Sequence, residues 1–312
     1  MDTLGAWGRS RAAAVSPRCG GTGKARPASA YKIALLALCA LAAPAAAAPP
    51  ATTPSADGVP ISYTVQGTGA PALVFVHCWA CDSSFWDAQV KHEAAKHRVV
   101  TIDLAGHGRS GRGRADWTIP AFGADVVAVV KKLGLSQVVL IGHSMGGPVI
   151  VDAAHQMPER VVGLVPVDTL LDVDQVLDRA QIDAFTGELT ADYKATVGRF
   201  MEGYMYVPTT PQAVKDLANG RAANFDPVIG VAAIRSTWRY DPRPVLAGIK
   251  VPIVAVNADK FPTNLAAARK AAPQFDAVIV KGTGHYLMLE KPDEFNRALD
   301  EALGRVQAQP AR

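Results

Sequence analysis

The fold of this chain is decided by residues 138–148, Val-Val-Leu-Ile-Gly-His-Ser-Met-Gly-Gly-Pro. The four apolar residues that open this stretch are typical of a short buried strand. The Gly-x-Ser-x-Gly pattern after them predicts a sharp turn into a helix, because Gly142 and Gly146 lack the Cβ atoms that would collide around a strained Ser144. Such a turn exposes the serine hydroxyl and leaves the N–H of Met145 at a helix N-terminus, where it can stabilise an oxyanion. The pattern alone is also compatible with a glycine-rich turn that carries no chemistry.

Alternating strands and helices surround this stretch. Besides the strand before Ser144, apolar or alternating runs predict strands at residues 59–65, 72–76, 98–103, 161–167, 252–257 and 277–280. With helical patterns between them, the spacing predicts an α/β fold with a mostly parallel sheet covered by helices on both faces. Binding and catalytic sites of such sheets lie beyond the carboxyl ends of the strands. His77, Asp103 and Asp168 also follow strand ends, which supports a functional site at that edge.

Residues 170–245 interrupt this alternation. Helical patterns follow one another there without a clear strand, and the segment is rich in aromatic residues and methionine. We expect a helical cap that is inserted between two strands and folds over the site. Part of its apolar residues should form the core of the cap and part should line a substrate pocket.

The candidate catalytic residues follow the order nucleophile, acid, base. A serine hydroxyl needs a neighbouring base to remove its proton, and the base needs an acid that orients it. Ser144 is the predicted nucleophile, and His285, in a glycine-flanked loop after the last strand, is the predicted base. We expect Asp259, after the strand that follows the cap, to be the acid. Asp168, after the strand that precedes the cap, is the alternative acid.

The loop after the strand at residues 72–76 is predicted to complete an oxyanion hole. His77 is expected to order this loop by hydrogen bonding. The backbone N–H of Trp79, or failing that of Cys78, should act beside the N–H of Met145. Cys78 and Cys81 are spaced for a tight disulfide in an oxidising compartment, and two free thiols are the alternative.

The N-terminal segment carries the basic charge of the chain. The chain has 32 basic and 28 acidic side chains, of which six basic and one acidic lie in residues 1–48. The remainder therefore carries 26 basic and 27 acidic groups. Basic residues, an apolar run and Ala-x-Ala sites predict that residues 1–48 are an export signal, with residues 49–57 as a flexible linker and residues 58–312 as one domain. We therefore expect a periplasmic or secreted protein, or alternatively an N-terminally anchored one, and no nucleic-acid partner.

Residues from about 58 to 305 resemble the α/β-hydrolase superfamily, in the branch of small esterases, cofactor-free haloperoxidase-like enzymes and dehalogenase-like proteins with a helical cap. The resemblance rests on Val76-His77-x-Trp79, on Asp-Leu-Ala-Gly-His-Gly-Arg-Ser at residues 103–110, on residues 142–147 and on Gly284-His285. The family usually has glycine where this chain has Cys78. Its dehalogenases and epoxide hydrolases have aspartate at the nucleophile position, so Ser144 disfavours those two activities.

These features together predict a serine hydrolase that cleaves a carboxylic ester or a related small acyl substrate through an acyl-enzyme. The chemistry requires no metal and no organic cofactor. The expected partner is a small ester or acyl compound, with no stable membrane partner beyond the export signal, and the oligomeric state is left open. Lactone, thioester or carbon–carbon bond hydrolysis or perhydrolysis on the same residues, and a ligand-binding protein on a hydrolase scaffold, are the alternatives.

Overall fold

An eight-stranded sheet forms the centre of the protein. The computed structural model describes residues 50–175 and 177–308. The strands are β1 (Ala51–Pro54), β2 (Pro60–Gln66), β3 (Ala72–Val76), β4 (Val99–Asp103), β5 (Val138–His143), β6 (Val161–Val167), β7 (Ile253–Ala258) and β8 (Phe275–Val280). Their spatial order is β1-β2-β4-β3-β5-β6-β7-β8. β1 and β2 pair antiparallel with their neighbours, whereas all neighbours from β4 to β8 are parallel, which confirms the predicted sheet.

Helices cover both faces of this sheet. They are α1 (Asp87–Glu93), α2 (Ile119–Lys132), α3 (Gly146–Gln156), α4 (Arg179–Ala191), α5 (Tyr193–Phe200), α6 (Gln212–Ala223), α7 (Pro227–Arg239), α8 (Arg243–Leu246), α9 (Leu265–Ala271), α10 (Leu287–Glu290) and α11 (Pro292–Ala308). Alternate side chains of β3 enter two different cores: Val74 packs in the core shared with α2 and α3, and Phe75 in the core shared with α1 and α11. This is why β3 is apolar at every position instead of at every second one.

The segment between β6 and β7 is helical. It contains α4 to α8, with one π-helical turn at Met201–Met205 after α5. Side chains start several of these helices: Asp178 accepts the N–H of Gln181 before α4, and Asp226 accepts the N–H of Val228 before α7. Among the described residues of this interval no strand occurs, in keeping with a cap inserted between two strands.

The segment predicted as a flexible linker, residues 49–57, is in fact largely part of the fold. Residues 51–54 form β1, which pairs with β2 along its length. The Ser55 hydroxyl donates to Asp125 at 2.6 Å, and the guanidinium of Arg114 bridges Asp57 and Asp125. The prediction was wrong because these partners lie far away in the sequence. The predicted export signal, residues 1–48, lies outside the described residues; within them, no helix combines the length and the apolar character needed to cross a membrane.

Candidate active site

Ser144 lies in a sharp turn between β5 and α3. It has a φ of 54°, a left-handed conformation that costs a non-glycine residue about 1–2 kcal/mol. The turn brings the chain so close together that a Cβ on Gly142 would lie 2.2 Å from the carbonyl oxygen of Gly146. A Cβ on Gly146 would lie 2.7 Å from the carbonyl oxygen of Val76, at the end of β3. Both glycines are therefore required by close backbone approach, as the motif predicts.

His285 is paired with Asp168. Its Nδ1 lies 2.6 Å from Oδ2 of Asp168, a residue that is only 7% exposed. The other oxygen of Asp168, Oδ1, accepts the backbone N–H of Ala258 at 3.0 Å. Because Nδ1 faces the carboxylate, Nε2 is the ring nitrogen left for a proton from a nucleophile. Asp168 itself has a φ of 44°, so this aspartate, like Ser144, is held in an unusual backbone conformation directly after its strand.

The expectation that Asp259 contacts His285 is wrong, and the alternative, Asp168, occupies that place. Asp259 is exposed, and its Oδ1 accepts the N–H of Gly282 at 2.8 Å. The reason is the strand order, since β6 lies between β5 and β7 and Asp168 therefore follows the strand next to that of Ser144. The N–H of Ala258, at the end of β7, serves to orient Asp168 instead of presenting an acid of its own.

A second histidine supports the loop of His285. His143 Nε2 donates to the carbonyl oxygen of His285 at 2.8 Å, and the two rings are 4.6 Å apart. Burial, together with the neighbouring His285, holds the pKa of His143 well below its usual value. His143 is thus a neutral donor to the main chain. Its place in the Gly-x-Ser-x-Gly motif did not reveal this contact, which joins residues 142 positions apart.

The loop after β3 is ordered by His77, as predicted. His77 Nδ1 donates to the carbonyl oxygen of Cys78 at 2.8 Å, and Nε2 accepts the N–H of Leu104 at 3.0 Å. Burial lowers the pKa of His77 from its usual value, in agreement with a neutral ring that donates on one side and accepts on the other. Cys78 and Cys81, for which the sequence left two states open, are joined by a disulfide. The oxyanion role of the Trp79 and Met145 N–H groups stays a prediction.

Asp103 shapes the loop that follows β4. Its carboxylate accepts the N–H of Ser83 at 2.8 Å and the N–H of Arg109 at 3.0 Å. A Cβ on Gly108, whose φ is 48°, would lie 2.4 Å from the carboxyl carbon of Asp103. The motif at residues 103–110 is therefore structural, and neither Asp103 nor the nearby His107 lines the cavity described next.

Ser144 and His285 line one cavity of about 360 Å³ beneath the cap. Trp79 and Met145 line it as well, beside Cys78. Much of the remaining wall is apolar or aromatic: Pro148, Leu170, Leu171, Val173, Phe200, Met201, Met205, Ile234, Trp238, Pro242 and Tyr286. The polar remainder is Thr169, Asp172, Gln175, Thr237 and Tyr240. No lysine or arginine is found among the lining residues of this cavity that the structure describes.

One group of side chains in the described part of the chain has the composition of a metal site. His92, Glu93 and Asp300, from α1 and α11, bring their ligand atoms within 4.8 Å of one another. The ammonium group of Lys96 lies 3.1 Å from Asp300 Oδ1, and this positive charge opposes a cation at the same carboxylate. None of the three lines the cavity of Ser144, so the group has no contact with the candidate catalytic residues.

The strand order, the serine turn and the paired histidine are features of a large family. The family model described as "Alpha/beta hydrolase family" matches residues 73–298. The chain belongs to the alpha/beta hydrolase family.

Relatives of this chain carry the names of enzymes. It is 25% identical over 264 residues to 3-oxoadipate enol-lactonase 2 of Acinetobacter baylyi, covering 81% of this chain and 96% of that protein. It is 27% identical over 248 residues to the pimeloyl-[acyl-carrier protein] methyl ester esterase of Yersinia pseudotuberculosis, covering 75% of this chain and 93% of the esterase.

Solved structures share the fold. A bromoperoxidase from Bacillus anthracis superimposes with a TM-score of 0.73 and 23% identity over 82% of this chain and all of that chain. A thermophilic esterase from Thermogutta terrifontis superimposes with a TM-score of 0.74 and 22% identity over 83% of this chain and 99% of its own. At these identities the likeness concerns the fold alone.

Proposed function

We propose that this protein is a serine hydrolase that cleaves carboxylic esters through an acyl-enzyme. The observation that carries the proposal is the 2.6 Å contact between His285 Nδ1 and Asp168, because His285 lines the same cavity as Ser144. An aspartate held there by two hydrogen bonds stabilises the imidazolium that forms when a histidine takes a proton from serine. A protein that only binds a ligand has no physical need for the serine, the histidine and the aspartate together.

The proposed reaction has two halves. In the first, Ser144 Oγ attacks the ester carbonyl while His285 Nε2 takes the hydroxyl proton, and the backbone N–H groups of Trp79 and Met145 bind the oxyanion. The alcohol then leaves with the proton from His285. In the second half, His285 takes a proton from water and the resulting hydroxide attacks the acyl-enzyme. His285 then gives this proton to Ser144 Oγ as the acid is released, which restores the serine.

The cavity favours uncharged substrates with an apolar or aromatic acyl group. Aromatic side chains such as Trp79, Phe200 and Trp238 form much of its wall. Among its described lining residues, Asp172 is the one carboxylate, and it has no cationic counterpart there. If a substrate carried a free carboxylate beside its ester group, that carboxylate would therefore lose its water on binding without gaining a cationic partner. We expect nitrophenyl benzoate or hexanoate to be cleaved with a kcat/KM at least about tenfold above that of a nitrophenyl monoester of a dicarboxylic acid, a difference of about 1.4 kcal/mol.

Lactone hydrolysis is the second candidate. A lactone is a cyclic ester, so the same attack by Ser144 opens it, and one relative of this chain is named an enol-lactonase. Comparing kcat/KM for an uncharged lactone and an open-chain ester of equal carbon number, with the same purified protein, decides between the two substrates.

The experiment that tests the proposal measures turnover of nitrophenyl esters of increasing acyl length by the wild type and by Ser144→Ala. Labelling of Ser144 by a fluorophosphonate runs in parallel. Activity that is lost in the variant, while its melting temperature is kept, supports a serine esterase. Labelling without ester turnover means that the machinery acts on another acyl compound. A folded protein with neither turnover nor labelling contradicts the proposal and favours a ligand-binding protein.

We also propose that residues 1–48 direct export to the periplasm or the medium. The support is the order of basic residues, apolar run and Ala-x-Ala sites in the sequence. Fractionation of cells that produce the full chain, beside cells that produce it without residues 1–48, tests this. An exported and shortened full chain agrees with the proposal, a full-length chain in the membrane fraction indicates the anchored alternative, and retention of both forms in the cytoplasm contradicts export.

A further inference from the structure

The disulfide between Cys78 and Cys81 closes a strained turn. The N–H of Cys81 donates to the carbonyl oxygen of Cys78 at 3.3 Å, and the two Cα atoms are 5.2 Å apart, so residues 78–81 form a β-turn. Ala80, the third residue of this turn, has a φ of 55°, a left-handed conformation that strains a residue with a Cβ and in which glycine is the usual residue. The local sequence therefore favours opening of a turn whose first and last residues are covalently joined.

The turn contains the peptide group that the proposed mechanism needs. The peptide bond between Cys78 and Trp79 carries the Cys78 carbonyl on one side and the Trp79 N–H on the other. Because a trans peptide is planar and its C=O and N–H point in opposite directions, fixing the carbonyl fixes the direction of the N–H. The Cys78 carbonyl is held by His77 Nδ1 at 2.8 Å and by the N–H of Cys81, the residue at the other end of the disulfide.

The side chain of Trp79 is anchored separately. Its indole Nε1 donates at 2.8 Å to the carbonyl oxygen of Gly230 in α7 of the cap. Its ring also lies 6.3 Å from that of Tyr193, between centroids. When the turn relaxes, this anchor keeps the indole in place, so the relaxation falls on the backbone of residues 78–81. Rotation of the Cys78–Trp79 peptide would then change the direction of the Trp79 N–H.

We infer that the Cys78–Cys81 disulfide is a positioning element that aims the Trp79 N–H at the oxyanion, and that its reduction impairs catalysis without impairing substrate binding. This inference rests on the proposed function. Both sulfurs are in buried residues, 2% and 4% exposed, and Cys78 lines the cavity, which is the route by which we expect a small dithiol to reach the bond.

The redox step is an ordinary thiol–disulfide exchange with a dithiol reductant. One thiolate of dithiothreitol attacks a cysteine sulfur and forms a mixed disulfide, and the second thiolate displaces the remaining cysteine as a cyclic disulfide forms. The protein gains two electrons and two protons as two thiols, and the dithiol loses them. Full activity is then expected only where disulfides persist, in agreement with the proposed export.

The experiment compares the oxidised protein, the protein reduced by dithiothreitol, and the double variant Cys78→Ser/Cys81→Ser, all as the full chain. Peptide mass mapping verifies the redox state, because the peptide that contains both cysteines is lighter by two hydrogen atoms when oxidised. Loss of an oxyanion donor lowers kcat by about 10²–10³-fold, so a misdirected donor should lower kcat at least about tenfold, with KM changed by less than about twofold. Dithiothreitol should not change the activity of the double variant, which controls for effects of the reductant elsewhere.

A trifluoromethyl ketone separates positioning from a merely structural role. It forms a hemiketal oxyanion with Ser144, so its inhibition constant should rise by the same factor as kcat/KM falls. The alcohol of the same carbon skeleton, which forms no oxyanion, should bind the oxidised and reduced proteins equally.

Three results would overturn the inference. The first is free thiols at Cys78 and Cys81 in protein purified without reductant. The second is a reduced protein, folded by near-ultraviolet circular dichroism, that keeps its kcat and its affinity for the ketone and loses only melting temperature. The third is absence of both turnover and fluorophosphonate labelling of Ser144 in the oxidised protein, which removes the proposed function and this inference with it. The second result, in contrast, removes this inference alone. If the double variant does not fold, the reduced wild type carries the comparison.

Discussion

Replacement of Asp168 by asparagine tests the arrangement of the site most directly. The N–H of Ala258 donates to Oδ1 of Asp168 at 3.0 Å, and a backbone N–H accepts nothing in return. In Asp168→Asn the amide oxygen must therefore stay on Ala258, and the amide NH2 takes the position of Oδ2, next to His285 Nδ1. That nitrogen then becomes an acceptor, so the proton of the neutral ring moves to Nε2. His285 can no longer take a proton from Ser144.

The size of the effect follows from this change of tautomer. In serine hydrolases the same substitution lowers kcat on the order of 10⁴-fold, which corresponds to about 5.5 kcal/mol in the activation free energy. Asp259→Asn is the matched control, because its side-chain oxygen still accepts the N–H of Gly282 at the surface, and we expect its kcat within about twofold of wild type. The assay is steady-state hydrolysis of a nitrophenyl ester, with melting curves for all three proteins. A larger loss of kcat in Asp259→Asn, or a folded Asp168→Asn protein with more than about a tenth of wild-type activity, refutes the assignment.

Three further substitutions test the framework around the site. Burial holds the pKa of His107 well below its usual value, so below about pH 6.5 the unfolded state binds one proton more than the folded state, and the unfolding free energy decreases as the pH is lowered. In His107→Asn the slope of the unfolding free energy against pH between about pH 6.5 and 5 should therefore be shallower by up to about 1.4 kcal/mol per pH unit. Urea titrations measure this slope, and an unchanged slope contradicts the prediction. Arg114→Met leaves the carboxylate of Asp125 buried without its cation and should lower the unfolding free energy by about 3–5 kcal/mol. The double variant Arg114→Met/Asp125→Leu should recover part of this loss. Equal stability of the wild type and the single variant would argue against a buried ion pair. Gly142→Ala places a Cβ 2.2 Å from the carbonyl oxygen of Gly146 and should lower both the melting temperature and fluorophosphonate labelling, so unchanged values of the two speak against the close approach.

Features that depend on neighbours in the sequence were predictable. The strand, the glycines and the serine of residues 138–148 lie together in the chain, and their geometry follows from local backbone sterics. The β3 strand was equally clear, because both of its faces are buried and the run is apolar without interruption. The place of His77 between Cys78 and Leu104 was inferred only in outline, since its second partner is 27 residues away.

The choice between Asp259 and Asp168 depended on distances that no local pattern contains. Both residues follow a parallel strand, and both strands end at the same edge of the sheet. What distinguishes them is that Asp168 takes a positive φ after Val167 and receives the N–H of Ala258 from the next strand. The hydrogen bond between Asp168 and Ala258 joins residues that are 90 positions apart in the sequence. The status of residues 51–54 was hidden for the same reason, because a short edge strand becomes visible only through its pairing with β2.

The cap is bound to the proposed catalytic residues themselves and not only to the surface around them. The N–H of His285 donates to the carbonyl oxygen of Met205, in the π-helical turn of the cap, at 2.8 Å. The indole of Trp79 reaches Gly230 in α7, and Lys260 Nζ, shortly after β7, donates to main-chain carbonyl oxygens at residues 204 and 206.

These bonds link the cap to the proposed base and to the proposed oxyanion loop at the same time. Met205 is the last residue of the π-helical turn, and the carbonyl oxygens of the last turn of a helix have no partner within the helix, so that of Met205 is free to accept the N–H of His285. Opening the cap as a rigid lid would break these bonds and disturb the base and the oxyanion donor together. Substrate entry that leaves them intact would pass through the cavity mouth, and under the proposed function the side chains there, and not lid movement, would set the size of the acyl group.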